Sequence, residues 1–459
     1  MLDGLKPYPA YKESGVPWLG RIPDGWNVER NGRLFARRNE NGTPDLPILE
    51  VSLRTGVRIR GFADGGRKQV MADLAGYRRA AQGDIAYNTM RMWQGAVGVV
   101  PTTGLVSPAY VVACPIPGSK PGYFTRLFRT AAYLEQIDGY SRGIVKDRNR
   151  LYWEDFKRIP IAVPPPEEQT LIVRFLDSVD HRIRHLLREK QKLVSFLEEQ
   201  RKAVLGRAVT SGPDTRCARR PFASDRHAAR SDGWTEKRVK DVFRCLNSRR
   251  SPLSGTERGG MTLRRYDYYG ASGVIDRVDD FLFDDELILL AEDGANLVLR
   301  NLPLAIIARG KFWVNNHAHI LKPRDGNLEF LAALLETIDY APWISGAAQP
   351  KLTQDRLMSV PLVVPPKAEQ DRIMRVVRGE TASLAAAISS VRKEQSVLRE
   401  LRTRLIADVV TGNLDVRKAA EQLPEEPDSP DATEYDEVEA PAENDSDDGP
   451  AADSASIEA

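Results

Sequence analysis

The sequence predicts an α+β chain of two similar halves. Each is a mixed α/β domain followed by one long helix, and the two helices pair as an antiparallel coiled coil with approximate pseudo-two-fold symmetry. Three observations predict it. A short phrase occurs twice, "VPPPEEQTLIVRF" from Val163 and "VPPKAEQDRIMRV" from Val364, so that Glu168 and Gln169 return as Glu369 and Gln370, 201 positions later (369 − 168). An apolar spacing of three and four follows each copy. The segment "GWNVERNGRLF" from Gly25 also returns, as "GWTEKRVKDVF" from Gly233, opening a domain ahead of each helix.

In chain order, residues 1–163 are the first expected domain, with β-branched runs such as "GAVGVVPTTG" set between turn residues. Residues 164–212 are the first long helix. Pro164, Pro165 and Pro166 hold its approach extended, Glu167 and Glu168 suit a helix N-terminus, and Gly212 suits the left-handed cap that ends it. Its expected seam is Ile172, Leu176, Val179, Ile183, Leu186, Leu193, Leu197 and Val204. Residues 213–232 are a polar, Arg-rich linker, and residues 233–364 are the second domain, with apolar runs "LILLAED" and "LAIIARG". Residues 365–412 repeat the helix, from Pro365 and Pro366 to Gly412, with a seam at Ile373, Val377, Leu384, Val391, Leu398, Leu401 and Leu405. Residues 413–459 are expected as an acidic, disordered tail.

The formal net charge of +2 hides an uneven distribution. From Glu421 onward there are 15 acidic residues and no Lys or Arg. The first 420 residues therefore hold 66 basic against 49 acidic residues (64 − 15), which favours a polyanionic partner. Cys114, Cys217 and Cys245 form neither a disulfide framework nor a CxxC pair, which points to a reducing cytoplasm. No basic-then-apolar leader is expected in "MLDGLKPYPAYKESGVPWLG", and runs such as "LAIIA" are too short to span a membrane.

With these repeats in place the chain resembles the specificity (S) subunits of type I restriction–modification systems. The resemblance covers residues 15–412 and rests on the paired proline–EQ helix starts, "GAAQPKLTQDRLMSVPLVVPPKAEQ", "WVNNHAHIL", "YNTMRMWQGAVG" and "RLYWEDFKRIPIAVPPPEEQ". It implies two target-recognition domains, each reading part of a split sequence in double-stranded DNA. It implies long helices that act as a spacer and as the docking surface for two methyltransferase (M) subunits, with restriction (R) subunits completing the assembly. S-adenosylmethionine, ATP and Mg are then expected on those partners. The acidic tail departs from the family pattern, and nothing is carried over to it.

The chain's own residues agree with a non-catalytic role. It holds no GxxxxGK[ST] loop, no [DN]PP[YF] tetrapeptide and no HExxH, so no catalytic, cofactor-binding or metal residues are assigned. Another phage-defence assembly is an alternative setting. A metal-dependent nuclease is an alternative of a different class, resting on His317 and His319: at i and i+2 on a strand they would share a face, near Glu292 or Asp293. Structural hydrogen bonding and DNA contact are the other readings of that pair. His181 and His185, one turn apart on the first helix, read as a solvated face.

Base readout needs Arg, Lys, Asn or Gln at a groove, with further cations on the phosphates. The first-domain candidates are Arg54, Arg58, Arg60, Asn88, Arg91, Trp93, Arg142, Lys146 and Arg148. Those of the second are Arg249, Arg250, Arg264, Arg265, Tyr266, Tyr268, Tyr269, Asn315, Asn316, His317, Gln349 and Lys351.

Overall fold

A computed structural model describes residues 5–43, 45–60, 76–143, 149–212, 233–294, 296–346 and 350–423. The chain divides into two compact units, Met1–Gln191 with Lys393–Ala459, and Lys192–Arg392. Each unit combines one globular half with a length of both long helices. No described helix is long and apolar enough to cross a membrane.

The long helices are Pro166–Ser211 (46 residues) and Lys367–Val410 (44 residues), each roughly 65–70 Å at 1.5 Å per residue. Proline occupies the first helical position of one, where its missing N–H costs nothing. Gly212 and Gly412 end the helices at φ +81° and +80°, the left-handed conformation that a side chain resists. In unit 1 Asp180 pairs with Arg402, and Lys190 with Glu394. One number rises as the other falls, so the helices there run antiparallel. Gln395, buried in this seam, donates to Gln191 (3.3 Å). In unit 2 Glu198 pairs with Arg392 (2.6 Å), and Val194 packs with Ile388 and Val391.

The seam departs from the expected one. Ile172, Leu176, Val179 and Ile183 are buried, but the next buried positions are Leu187 and Val194, while Leu186 and Leu193 are 46% and 44% exposed. On the second helix Leu401 is exposed, and Leu384 and Leu398 are only half-buried. A straight α-helix has 3.6 residues per turn, so a strict seven-residue pattern drifts around it by about 20° per heptad. The step of four from Ile183 to Leu187 takes up that drift.

In unit 1 a four-stranded antiparallel sheet orders Phe35–Arg38, Tyr110–Pro115, Ile85–Asn88 and Val97–Val99. The hairpin Leu49–Ser52 with Gly56–Ile59 lies against its edge. A Cβ on Gly98 would stand 2.5 Å from the Val57 nitrogen, so the close approach requires glycine there. An aromatic cluster of Phe35, Tyr87, Phe124, Phe128, Tyr133 and Phe156 fills the core beneath.

Residues 413–423, assigned above to the disordered tail, fold onto this core. Arg417–Glu421 is helical, and Val416, Ala420 and Leu423 are buried at helical spacing. The Asp415 N–H donates to Lys6 O (2.8 Å), and Arg417 lies over the Tyr8 ring. Apart from Glu421, the acidic run begins only after these apolar positions. The remainder of the expected tail, from residue 424, and the linker 213–232 lie outside the described residues.

Unit 2 has a six-stranded sheet in the order Phe243–Cys245, Ala318–Pro323, Phe283–Ala291, Ala305–Val314, Tyr266–Tyr269, Val274–Val278. All pairs are antiparallel except Tyr266–Tyr269 with Ala305–Val314. Its long central strand alternates between two cores: Ile288 and Leu290 pack with Phe330 and Leu335, Leu287 and Leu289 with Phe312.

The repeated phrase builds the same joint in each unit. A strand after the Gly-Trp pair (Asn27–Arg30, Thr235–Arg238) pairs with the strand leading into the helix (Pro160–Val163, Pro361–Val364). Glu168 accepts from Trp26 Nε1 (2.9 Å) and the Tyr8 hydroxyl (2.6 Å), and Glu369 accepts from Trp234 Nε1 (3.0 Å). Gln169 accepts from the Lys120 N–H (3.0 Å) and donates to Pro164 O (2.9 Å). Gln370 accepts from the Asn327 N–H and donates to Pro365 O, both at 2.8 Å. Glu168, Gln169 and Gln370 are buried and Glu369 is half-buried, and a buried polar group is costly unless its hydrogen bonds are made. The Glu–Gln pair is therefore a weld between domain and helix.

Candidate nucleic-acid interface

In unit 1 the described candidates gather on neighbouring loops. Arg54 sits exposed in the turn of the hairpin. Arg58 donates to Glu50 (2.6 Å), and Arg60 stands 4.0 Å from the same carboxylate, so both cations are partly neutralised. Asn88 is buried, with its side-chain oxygen accepting from the Met90 N–H (3.0 Å). It therefore shapes the loop that carries Arg91 and Trp93, whose indole donates to Met90 O (2.9 Å). Arg142 pairs with Asp155 (2.7 Å), which raises its pKa, while its backbone exchanges two hydrogen bonds with Arg150. The adjoining Leu151 N–H donates to Thr89 O (2.9 Å), tying this segment to the Asn88–Trp93 loop. Lys146 and Arg148 lie outside the described residues.

In unit 2 several candidates converge and others do not. Arg250 is largely buried, binding Glu292 and the carbonyls of Asn316 and Ala318 (both 3.1 Å). Burial works against the Glu292 carboxylate, but the hydrogen bond from Arg250 and the surrounding charges hold its pKa below the usual range. Lys351 adds a contact to it at 3.3 Å. Around this ion pair stand Asn315, whose side chain accepts from the His317 N–H (2.8 Å), and the exposed Asn316 and His317. Gln349 lies outside the described residues. Arg249 stacks on Phe283, 4.8 Å from its centroid. Arg264 has φ +41° and binds Asp276 and Asp279, with the exposed Arg265 beside it. The tyrosines pack the sheet: Tyr268 is buried, while Tyr266 and Tyr269 meet Phe281 and Phe312 edge-on.

His317 and His319 do not share a face. The strand starts at Ala318, leaving His317 in the preceding turn, half-exposed, 2.9 Å from Asp293. His319 is fully buried; its Nδ1 faces the Asn247 amide (2.8 Å) and its Nε2 faces Leu352 O (2.7 Å). Nε2 thus carries the proton, and burial lowers the pKa, keeping the ring neutral. Among the described residues no group of three or more His, Cys, Asp or Glu is placed to hold a metal ion. The nuclease alternative has no metal site there.

Sequence reading missed one equivalence that its own offset contained. Arg150 and Leu151 return 201 positions later (351 − 150) as Lys351 and Leu352. The Leu352 N–H donates to Glu292 O (2.8 Å), as Leu151 does to Thr89, and Ser345 closes on Lys351 as Arg142 does on Arg150. It also missed Asn247 and Arg129, which no pattern marks.

Two stretches, residues 130–194 and 231–378, match the type I restriction modification DNA specificity domain. One matched stretch lies in each half of the chain. Arg142 and all the described unit 2 candidates fall inside the matched stretches; Arg54, Arg91 and Trp93 precede them. A putative type I restriction enzyme specificity subunit of Haemophilus influenzae is 31% identical over 148 residues, 32% of this chain. The match spans 37% of that relative's length. Among solved structures, a chain from a study of complex assembly and conformational transition in the type I R-M system superposes with a TM-score of 0.55 at 17% identity, over 85% of this chain and 98% of that one. The HsdS subunit of Thermoanaerobacter tengcongensis gives 0.37 at 17% identity, over 86% and 98%. The resemblance to type I specificity subunits read from the sequence holds, and the two mixed domains with paired long helices share their fold.

Proposed function

We propose that this chain is the DNA-specificity subunit of a type I restriction–modification complex in the cytoplasm. Each unit reads one part of a bipartite duplex target. Two M subunits dock on the long helices and methylate adenine with S-adenosylmethionine; R subunits cleave with ATP and Mg. The chain has no catalytic step of its own and sets where the partners act. The similarity of a stretch in each half to the type I DNA specificity domain carries this reading. It is supported by the gathering of polar and basic residues on loops in each unit, the arrangement that groove readout needs. Arg54, Arg91, Trp93 and Arg142 are the proposed contacts of unit 1, and Asn315, Asn316, His317 and Lys351 those of unit 2.

The test is a methylation map of DNA from cells expressing the chain with its methyltransferase. A split motif with a fixed gap, lost when the chain is omitted, is expected. An unchanged map without the chain sinks the proposal. Deleting four residues within the first helix, between Leu193 and Leu205, should change that gap or abolish methylation. An unaltered site and rate would refute a spacer role.

A further inference from the structure

Arg129 lies between the helices Pro121–Leu127 and Ala131–Tyr140. Its guanidinium donates to four main-chain carbonyls: Nε to Gly95 (3.1 Å), Nη1 to Arg54 (3.4 Å), and Nη2 to Leu53 (2.7 Å) and Ser52 (3.3 Å). These carbonyls belong to two loops distant in sequence. One is the hairpin turn that carries Arg54. The other ends the short helix Met92–Gln94, beside Arg91 and Trp93, and is capped by Gly95 at φ +91°. Burial, and then the charge of Arg402, push the Arg129 pKa down, with no acidic side chain among the described residues acting on it. A cation held at a desolvation cost, with carbonyls as its partners, needs a reason. The planar fork of five donors supplies one, because it reaches both loops at once, which a lysine ammonium cannot do in the same geometry.

We propose that Arg129 is a positioning residue that locks the Arg54 turn to the Arg91–Trp93 loop, so that unit 1 presents them to the duplex as one surface. The inference rests on the DNA-recognition reading above. Neither loop is fixed to the other by sequence, and base readout requires side chains held to a fraction of an ångström against the groove. Arg129 does not itself have to touch DNA.

The full chain, co-expressed with its methyltransferase, is mapped for methylated motifs as wild type and as Arg129→Lys, and the thermal unfolding of each purified complex is recorded. Lysine keeps the charge and length but loses the fork. Discrimination should fall roughly tenfold or more at positions in one half of the motif, with the other half unchanged and the complex still fully folded at the assay temperature. A purely structural role would instead blur both halves or leave the complex unfolded at that temperature, and that outcome overturns the proposal. So does an Arg129→Lys motif identical to wild type. Absence of any split motif in the wild type would overturn the DNA-recognition reading first and this inference with it, a failure distinguishable from the other two.

Discussion

The weld at the head of each long helix can be broken by one substitution, and its two copies should respond unequally. Glu168 accepts hydrogen bonds from two buried donors, Trp26 Nε1 and the Tyr8 hydroxyl, whereas Glu369 accepts one, from Trp234. Replacing the carboxylate by leucine removes the acceptor and leaves the shape. Each buried donor that loses its acceptor costs about 1–3 kcal/mol. Glu168→Leu should therefore destabilise unit 1 by about 2–6 kcal/mol, and Glu369→Leu should destabilise unit 2 by about 1–3 kcal/mol. Glu168→Gln retains an oxygen at the accepting position and should cost clearly less than Glu168→Leu. A chain of two units need not unfold in one step, so the assay is native-state hydrogen exchange, read separately from core amides of each unit. Two results would refute the reasoning. If Glu168→Leu cost no more in unit 1 than Glu369→Leu in unit 2, the second donor would carry no weight. If Glu168→Gln were as damaging as Glu168→Leu, the charge and not the acceptor would be what matters.

Three further outcomes are expected. Leu187→Ala should cost about 2–4 kcal/mol in unit 1, and Leu186→Ala, at 46% exposure, well under half of that; equal costs in hydrogen exchange would restore the seven-residue seam. The buried His319 has its pKa lowered from 6.5, so the unfolded state takes up the proton first as pH falls. Its contribution to unit 2 is complete above pH 6.5 and is lost on acidification towards its folded-state value, at up to about 1.4 kcal/mol per pH unit. His319→Gln should flatten that slope, and an unchanged slope in the variant would rule the residue out. Ending the chain after Leu423 should leave unit 1 as stable as before, while ending it after Gly412 should cost roughly 3–5 kcal/mol through lost burial of Val416, Ala420 and Leu423, as urea-dependent exchange would show.

Legibility in the sequence followed the range of the interactions. The helices were readable because their signals are local: prolines and glutamates at the start, a glycine at the end, and an apolar period between. The seam beyond Ile183 was not, because whether Leu186 or Leu187 faces the partner depends on accumulated rotation and not on residue type. The weld was half readable. The repeats of Gly-Trp and of Glu-Gln were plain, but that each tryptophan donates to its own glutamate, 142 positions away in one copy, is a tertiary fact. Among the site residues, Arg250 is a DNA-contact candidate by sequence, beside Arg249, but is largely buried against Glu292. Asn88 looked like a reader and shapes a turn. Arg129 carried no signal, since a guanidinium that gathers main-chain carbonyls has no sequence pattern.

What the two units repeat and what they do not leads to a statement about the target. The repeated features are Trp26 and Trp234, the proline approach, Glu168 and Glu369, Gln169 and Gln370, and the basic–leucine pair at residues 150–151 and 351–352. All of these join a domain to its helix or close the loop just before it. The proposed reading surfaces share no such match. Unit 1 offers an arginine-tipped hairpin locked to an Arg–Trp loop; unit 2 offers an Asn-Asn-His turn on a six-stranded sheet over a buried ion pair. Where identical surfaces read DNA, the site mirrors their symmetry as a palindrome. Here the surfaces differ in both side chains and supporting geometry, so the halves of the methylated motif should differ in sequence and not be inverted copies. Arg54→Ala should relax one half only, by roughly 1–3 kcal/mol of discrimination if it contacts a base, and Asn316→Ala should relax the other. A motif whose halves are inverted repeats, or a single substitution that relaxes both, would mean that the two units do not read separate halves.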